Sequence, residues 1–325
     1  MKRDLLGRFQ TWFIIAITVG IVLYLIGSVW IGFDDIKKEI GIFNWWAFVL
    51  AIVLTLSNYA LRFFKWHYLC RHLDINIGIR DNAWIFIAGL SMAISPAKAG
   101  ELLKPYALRK KTGTPMAHSI PALVTERLTD GIAMLILAAT GVTTYAAEQA
   151  HYLWILGLVT LMGIGVLAHQ GLSLWIISMF SKLPVLSNLS EKLRELYHAM
   201  RQCLAPISLL WTILLSLVAW AAECVAFQII FQGMGIDAPF GVCFFVYAFA
   251  TVAGSVMPGG LGIADGALVG GAQKFIPGLT IGQAGLAAFL TRVATMWFGV
   301  ALGAAALIKL SSMLGGRIEI EKENV

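Results

Sequence analysis

Charged residues are scarce in this chain. Only 13% of its 325 positions are Asp, Glu, Lys or Arg, whereas 59% are hydrophobic, and the mean hydropathy is +0.80. A soluble domain carries about a quarter charged and about half apolar residues, so a water-solvated globule is excluded and lipid is the expected solvent. Cysteine is sparse as well. Cys70, Cys203, Cys224 and Cys243 form no C-x-x-C pair, which excludes a disulfide framework or thiolate cluster and leaves buried small hydrophobes. The histidines are scattered, and His67 and His72 lack a carboxylate or thiol at a ligand spacing, so neither metal nor cofactor is expected. Period-two alternation is missing, which excludes a spanning barrel. So is any soluble basic segment long enough to bind nucleic acid.

What the chain has instead is a series of apolar stretches: Trp12–Ile31, Phe43–Phe63, Gly131–Ala147, Leu153–Ala168, Ile207–Phe231, Gly241–Met257 and Leu286–Leu310. Each approaches or exceeds the roughly 20 residues that a helix needs to cross a hydrocarbon core. The formal charge of +6 is concentrated in Met1–Arg8, Arg62–Arg80, Lys98–Lys111 and Lys182–Arg201. By the positive-inside rule these segments are cytoplasmic. Met1–Arg8 and the apolar run after it resemble a signal peptide, but the run is long and lacks a small-x-small cleavage site, so a retained first span is expected. The expectation is a multi-pass protein of the cell inner membrane with both termini cytoplasmic.

A weak internal duplication organises the rest. Leu73-Asp74-Ile75 matches Met234-Gly235-Ile236 at a separation of 161, Pro96 matches Pro258 at 162, and Arg127 matches Arg292 at 165. The segment Asp81–Ile94 is too short to cross, and the basic run after Pro96 belongs inside. A re-entrant hairpin broken near Ser95–Gly100 satisfies both facts. The same counting makes Ile207–Phe231 run outward, so the second break, near Met257–Gly262, enters from the opposite face. The expected fold class is therefore an all-α integral membrane protein with about six transmembrane helices and two re-entrant broken-helix hairpins in inverted repeats. Its expected divisions are a leading span over 1–42, a first repeat over 43–147, a connecting span and cytoplasmic amphipathic linker over 148–204, a second repeat over 205–310 and a cytoplasmic tail over 311–325. Inverted repeats with discontinuous helices are a recurrent transporter architecture, with the site between the breaks.

The charges near those breaks are the candidate site. Pro96 and Gly100 interrupt the first hairpin, and the restarted helix is expected to present free N–H groups to a phosphate or carboxylate. Glu101 and Lys104 stand at i,i+3, and Glu126 and Asp130 at i,i+4, so each pair is expected to share a helix face. Lys98, Arg127 and, in the second half, Glu223, Asp265 and Arg292 complete the set. Pro258, Gly259, Gly260 and Gly262 form the second break. Unpaired charge in mid-bilayer is expensive, so these groups must pair or line a wet cavity. Ion pairs that merely lock each hairpin are the alternative. Arg62, at a span end, reads as a snorkelling side chain, and Gly262, Gly266 and Gly270 as a bare stripe for a neighbouring helix or an acyl chain. The dinucleotide-like GxG and the Ser95-x-x-Lys98 pattern lack the context that either motif requires.

The series Ser95-Pro-x-x-x-Gly100-Glu101-x-x-Lys104, Glu126-Arg127-Leu-x-Asp130 and Pro258-Gly-Gly-Leu-Gly262-x-x-Asp265 resembles the lysylphosphatidylglycerol synthase/flippase transmembrane family. The resemblance covers about Phe43 to Leu310 and implies a lipid-translocating module with two re-entrant elements. Members are associated with aminoacylated phosphatidylglycerol, polyprenyl-phosphate-linked sugars and hopanoids, so it does not fix the cargo. Lys104 stands where the family commonly has Arg, and Asp265 where it commonly has Glu, which keeps the sign and changes the reach. The soluble aminoacyl-transferase domain of the synthases is not expected here. The leading expectation is a flippase for an anionic phospholipid, glycolipid or polyprenyl-phosphate-linked lipid, with no catalytic residues. Membrane lipids are its substrate and solvent, no nucleic acid is a partner, and a homo-oligomer is compatible with it. An ion-coupled transporter of a soluble solute and a membrane-embedded head-group-modifying enzyme are the alternatives.

Overall fold

A computed structural model describes residues 39–95, 100–145, 157–158, 162, 190–255 and 257–314. Most of the leading span, most of the connecting span and linker, the end of the tail, and Pro96 and Lys98 lie outside the described residues. Every described element is helical. In order they are α1 (Trp45–His72), α2 (Ile79–Leu90) with a 3₁₀ extension (Ser91–Ile94), α3 (Leu103–Thr112), α4 (Met116–Tyr145), α5 (Ser190–Cys203), α6 (Pro206–Gly233), α7 (Phe240–Gly254), a 3₁₀ turn (Pro258–Gly260), α8 (Ile263–Phe275) and α9 (Ile281–Arg292). A π-helical turn (Val293–Trp297) then leads into α10 (Phe298–Met313).

The two long helices α1 and α6 each run 28 residues, roughly 42 Å at 1.5 Å per residue and longer than a ~30 Å hydrocarbon core. The continuous run Ile281–Met313 is the third described helix long and apolar enough to cross a membrane. Side-chain distribution on these helices is the reverse of a soluble protein. Trp46 and Ile207 are 76% and 84% exposed, whereas Lys65 is 0% exposed. Apolar side chains turned outward and charge turned inward is the arrangement that lipid demands.

Both long helices end in the same way, which is the duplication made physical. Asp74 and Gly235 adopt φ of 56° and 73°; the Ile75 N–H then donates to the Cys70 carbonyl (2.9 Å) and the Ile236 N–H to that of Phe231 (3.0 Å). This is a Schellman-type closure, repeated 161 positions apart. The order of a long helix, a short helix, a break, a second short helix and a final long helix then recurs in the second half. The final long helix is α4 in the first repeat and α9 with α10 in the second.

The repeats are inverted and interlocked. Asn44 donates to the Gly233 carbonyl, Asn58 to that of Ala219, and Lys65 to the Ser216 hydroxyl, so residue numbers rise on α1 as they fall on α6 and the equivalent helices are antiparallel. The first short arm of each half then packs on the last helix of the other half, α2 against α10 and α7 against α4, and the two broken turns touch. Glycine permits these crossings. A Cβ on Gly303 would lie 2.3 Å from the Ser91 nitrogen, and one on Gly141 would run into the Gly241 carbonyl.

Several boundaries move. The span expected over Phe43–Phe63 continues to His72, and that expected from Gly131 begins at Met116, because the added turns bury polar groups whose low hydropathy hides them from a scan. α5 lies where an amphipathic linker was expected; Tyr197, Met200 and Cys203 are buried, and the helix packs on α4. Among the described residues no neighbouring helix packs on Gly262, Gly266 and Gly270, since a Cβ on any of them meets nothing within 4 Å. All four cysteines are buried free thiols.

Candidate functional site

The breaks position the charges. In the first, the Ser95 hydroxyl donates to the Met92 carbonyl (2.6 Å) and accepts from the Gly100 N–H (2.8 Å); a Cβ on Gly100 would lie 2.8 Å from that hydroxyl. In the second, Gly259, Gly260 and Gly262 take φ of 60°, 69° and 80°, the left-handed region that other residues resist. The Gly262 N–H donates to Asp265 (2.9 Å). The expected anion seat is thus self-occupied at both of these N–H groups, one by a hydroxyl and the other by a carboxylate of the chain itself.

An arginine clasps each break to the following long helix. Arg127 Nε lies 3.2 Å from Glu101, and Arg292 Nε lies 3.0 Å from Asp265. Arg292 also donates to the Gly259 carbonyl. Beyond this shared clasp the halves differ. Glu126 and Asp130 in the first half stand where the second has Thr291 and Thr295, each 165 positions on. The extra carboxylates bind Lys104 Nζ (to Glu126, 2.5 Å) and Lys65 Nζ (to Asp130, 2.5 Å), with Arg127 bridging both. Lys65 also donates to Ser216 (2.7 Å), and Lys104 stacks over the Trp66 ring at 4.3 Å.

Between the breaks lies a cavity of about 140 Å³, similar to engineered cavities of about 150 Å³ that admit benzene. Its charged lining comprises Arg62, Lys104, Arg127, Arg292, Glu101 and Glu223, with Tyr59, Trp220, Tyr247 and Met296 among the remaining walls. Arg62 is 3.5 residues past the midpoint of α1, roughly 5 Å along the axis, so the cavity lies beside the middle of that helix. The Tyr59 hydroxyl donates to the Thr295 carbonyl within the π-helical turn, a helix irregularity frequent at functional sites.

Of the residues expected from sequence, Glu101, Lys104, Arg127, Glu223 and Arg292 line this cavity. Glu126, Asp130 and Asp265 stand behind it as partners of its cations. Lys98 lies outside the described residues. Glu101 and Lys104 do not pair with one another; each reaches α4 instead, because the helix restarts between them. Arg62 does not snorkel. It is buried, approaches Glu126 and Asp130 only to 3.6 and 4.0 Å, and lies over the Trp220 ring at 5.2 Å. Lys65, Tyr59, Trp220 and Tyr247 went unanticipated. The signal that could have found Lys65 and Arg62 was their spacing of three, with Tyr59 and Trp66 on the same α-helical face.

A charged cavity between two antiparallel broken-helix repeats defines a polytopic membrane protein of the discontinuous-helix class. The chain belongs to the family described as Lysylphosphatidylglycerol synthase TM region, whose profile matches residues 13–303. It is also similar to a UPF0104 membrane protein of Methanothermobacter thermautotrophicus (strain Delta H), with 26% identity over 321 residues and 93% of each chain covered.

Proposed function

We propose that this protein is a carrier that moves an anionic lipid head group between the leaflets of the cytoplasmic membrane, using the cavity between its breaks as the head-group site. One observation carries the reading. Among the described residues, Arg62 Nε and Trp220 Nε1 are buried donors without a hydrogen-bond partner, on side chains that line the same cavity. An unsatisfied buried donor is costly to keep, and two on adjacent walls favour an incoming acceptor. Lys65, Lys104, Arg127 and Arg292 are held in close ion pairs, whereas Arg62 reaches Glu126 and Asp130 only at 3.6 and 4.0 Å, which leaves it the loosely held cation among the described cavity residues. The family's name and the inverted architecture support a lipid as the molecule that bears the anion. The acyl chains would remain in the bilayer, since the cavity holds only a head group. The clasps Arg127–Glu101 and Arg292–Asp265 are suited to open in turn as each hairpin moves. Both termini on the cytoplasmic side follow from the charge distribution.

Arg62→Gln and Trp220→Phe test this in proteoliposomes. Glu126 and Asp130 retain Lys104, Lys65 and Arg127 in Arg62→Gln, so the fold should survive. Translocation of fluorescent phosphatidylglycerol is expected to fall at least about tenfold, the loss of roughly one charge-assisted hydrogen bond. Well-folded Arg62→Gln protein that translocates at the parental rate would refute the head-group site.

A further inference from the structure

We infer that Glu223 and Tyr247 form a proton-binding site, and that the cavity carries a proton together with each anionic head group; the coupling rests on the head-group reading above.

The charge pattern points there. Five carboxylates surround the breaks, and four have a cation at short range: Glu101 with Arg127 (3.2 Å), Glu126 with Lys104 (2.5 Å), Asp130 with Lys65 (2.5 Å) and Asp265 with Arg292 (3.0 Å). Glu223 is the exception. It is 4% exposed and lines the cavity; among the described residues no cation comes within ion-pair distance of it. Its contact is the Tyr247 hydroxyl, which donates to it at 2.6 Å. Arg62 is the loosely held cation of the same cavity, and the two occupy equivalent positions 161 apart in the two repeats. With the cavity empty, the positive charge of Arg62 and the negative charge of Glu223 balance across it.

An anion that takes Arg62 removes that balance. Glu223 and the incoming group are then two negative charges inside about 140 Å³, and like charges confined to one poorly solvated site do not both stay ionised. The phosphodiester cannot take up a proton at ordinary pH, so the carboxylate does. Tyr247 suits either state. Its hydroxyl donates to the carboxylate, and its oxygen can accept once the acid itself has the proton to donate. The other groups facing Glu223 do not replace this role. Tyr59 on α1 is engaged with the Thr295 carbonyl, Asp130 on α4 with Lys65, and Arg292 on α9 with Asp265; Cys224 and Cys243 are buried thiols. Buried acids of this kind form the proton relays of many transporters. The proton enters on Glu223 from the side that loads the lipid and leaves to water on the side that releases it.

Infrared spectra of the full chain in phosphatidylcholine nanodiscs, recorded from mildly acidic to mildly alkaline pH, test the proton site without any lipid substrate. A carbonyl band of a protonated carboxyl group is expected to titrate in the parent, to be missing from Glu223→Gln and to shift its midpoint in Tyr247→Phe. If no such band exists, or if Glu223→Gln keeps it, the proton site is overturned. Adding phosphatidylglycerol tests the coupling. The band should strengthen, with uptake of about one proton per bound lipid from weak buffer, and translocation should slow about tenfold per pH unit above the midpoint in the parent but not in Glu223→Gln. A band that titrates but ignores bound phosphatidylglycerol overturns the coupling. A titrating band in a parent that neither binds nor moves this lipid leaves the proton site standing and sinks the head-group reading, and with it the coupling. Should Glu223→Gln fail to fold, the midpoint shift in Tyr247→Phe decides.

Discussion

Lys65 is the most informative single residue to remove, because it is fully buried and its partners are known. Lys65→Met keeps most of the side-chain volume but deletes the ammonium that meets Asp130 at 2.5 Å, Ser216 at 2.7 Å, the Glu126 carbonyl at 3.2 Å and Thr129 at 3.3 Å. At an effective dielectric of about 20, two unit charges at that shortest separation attract by roughly 6–7 kcal/mol. Desolvation offsets much of this in the intact protein, but removing one partner leaves the other buried and costs about 3–5 kcal/mol. Arg127 at 3.4 Å and Arg62 at 4.0 Å still face Asp130, which places the expected loss near the lower end, about 3 kcal/mol. At roughly 2–4 °C per kcal/mol, thermal unfolding in detergent at a fixed scan rate should move down by about 6–12 °C. Lys65→Met with Asp130→Asn should recover part of that shift, because the stranded charge is gone. A single variant that unfolds within a degree or two of the parent, or a double variant that is worse than the single, would contradict the account of the network as a buried, mutually compensated set.

Glycine gives a second contrast: Gly303→Ala forces a Cβ to 2.3 Å from the Ser91 nitrogen and 2.9 Å from the Ile87 carbonyl oxygen, whereas Gly266→Ala meets nothing within 4 Å among the described residues. Gly303→Ala is expected to lower thermal stability by more than about 2 kcal/mol or fail to accumulate, while Gly266→Ala keeps parental stability or gains slightly from helix propensity; equal behaviour of the two would show that α2 and α10 do not cross at this point. The inverted topology is open to direct labelling, since the native cysteines are buried and both Lys110 and Lys274 are exposed. Lys110→Cys should react with an impermeant maleimide from the cytoplasmic side and Lys274→Cys from the outside, so modification of both from one face would remove the inversion.

The solvent, the helical class and the duplication were legible in the amino-acid order alone. These properties reside in composition and short-range order: apolar runs of spanning length, prolines and glycines that break two of them, and anchors recurring at nearly constant separation. The second break lies among Gly259, Gly260 and Gly262, whose positive φ few other residues adopt. Which charge meets which depends on the packing of helices far apart in the chain. Glu101 and Lys104 have a spacing that suggests one shared face, yet each pairs with α4, because a helix restart falls between them. Lys65 finds its partners 61 to 151 positions away, and Arg62 faces Trp220 and the Glu223 cavity only because α1 and α6 cross antiparallel. A local pattern fixes the face on which a side chain emerges. The packing of distant helices fixes what that face meets, and so why, among the described cavity residues, Arg62 is held only at 3.6 and 4.0 Å and Glu223 has no cation within ion-pair distance.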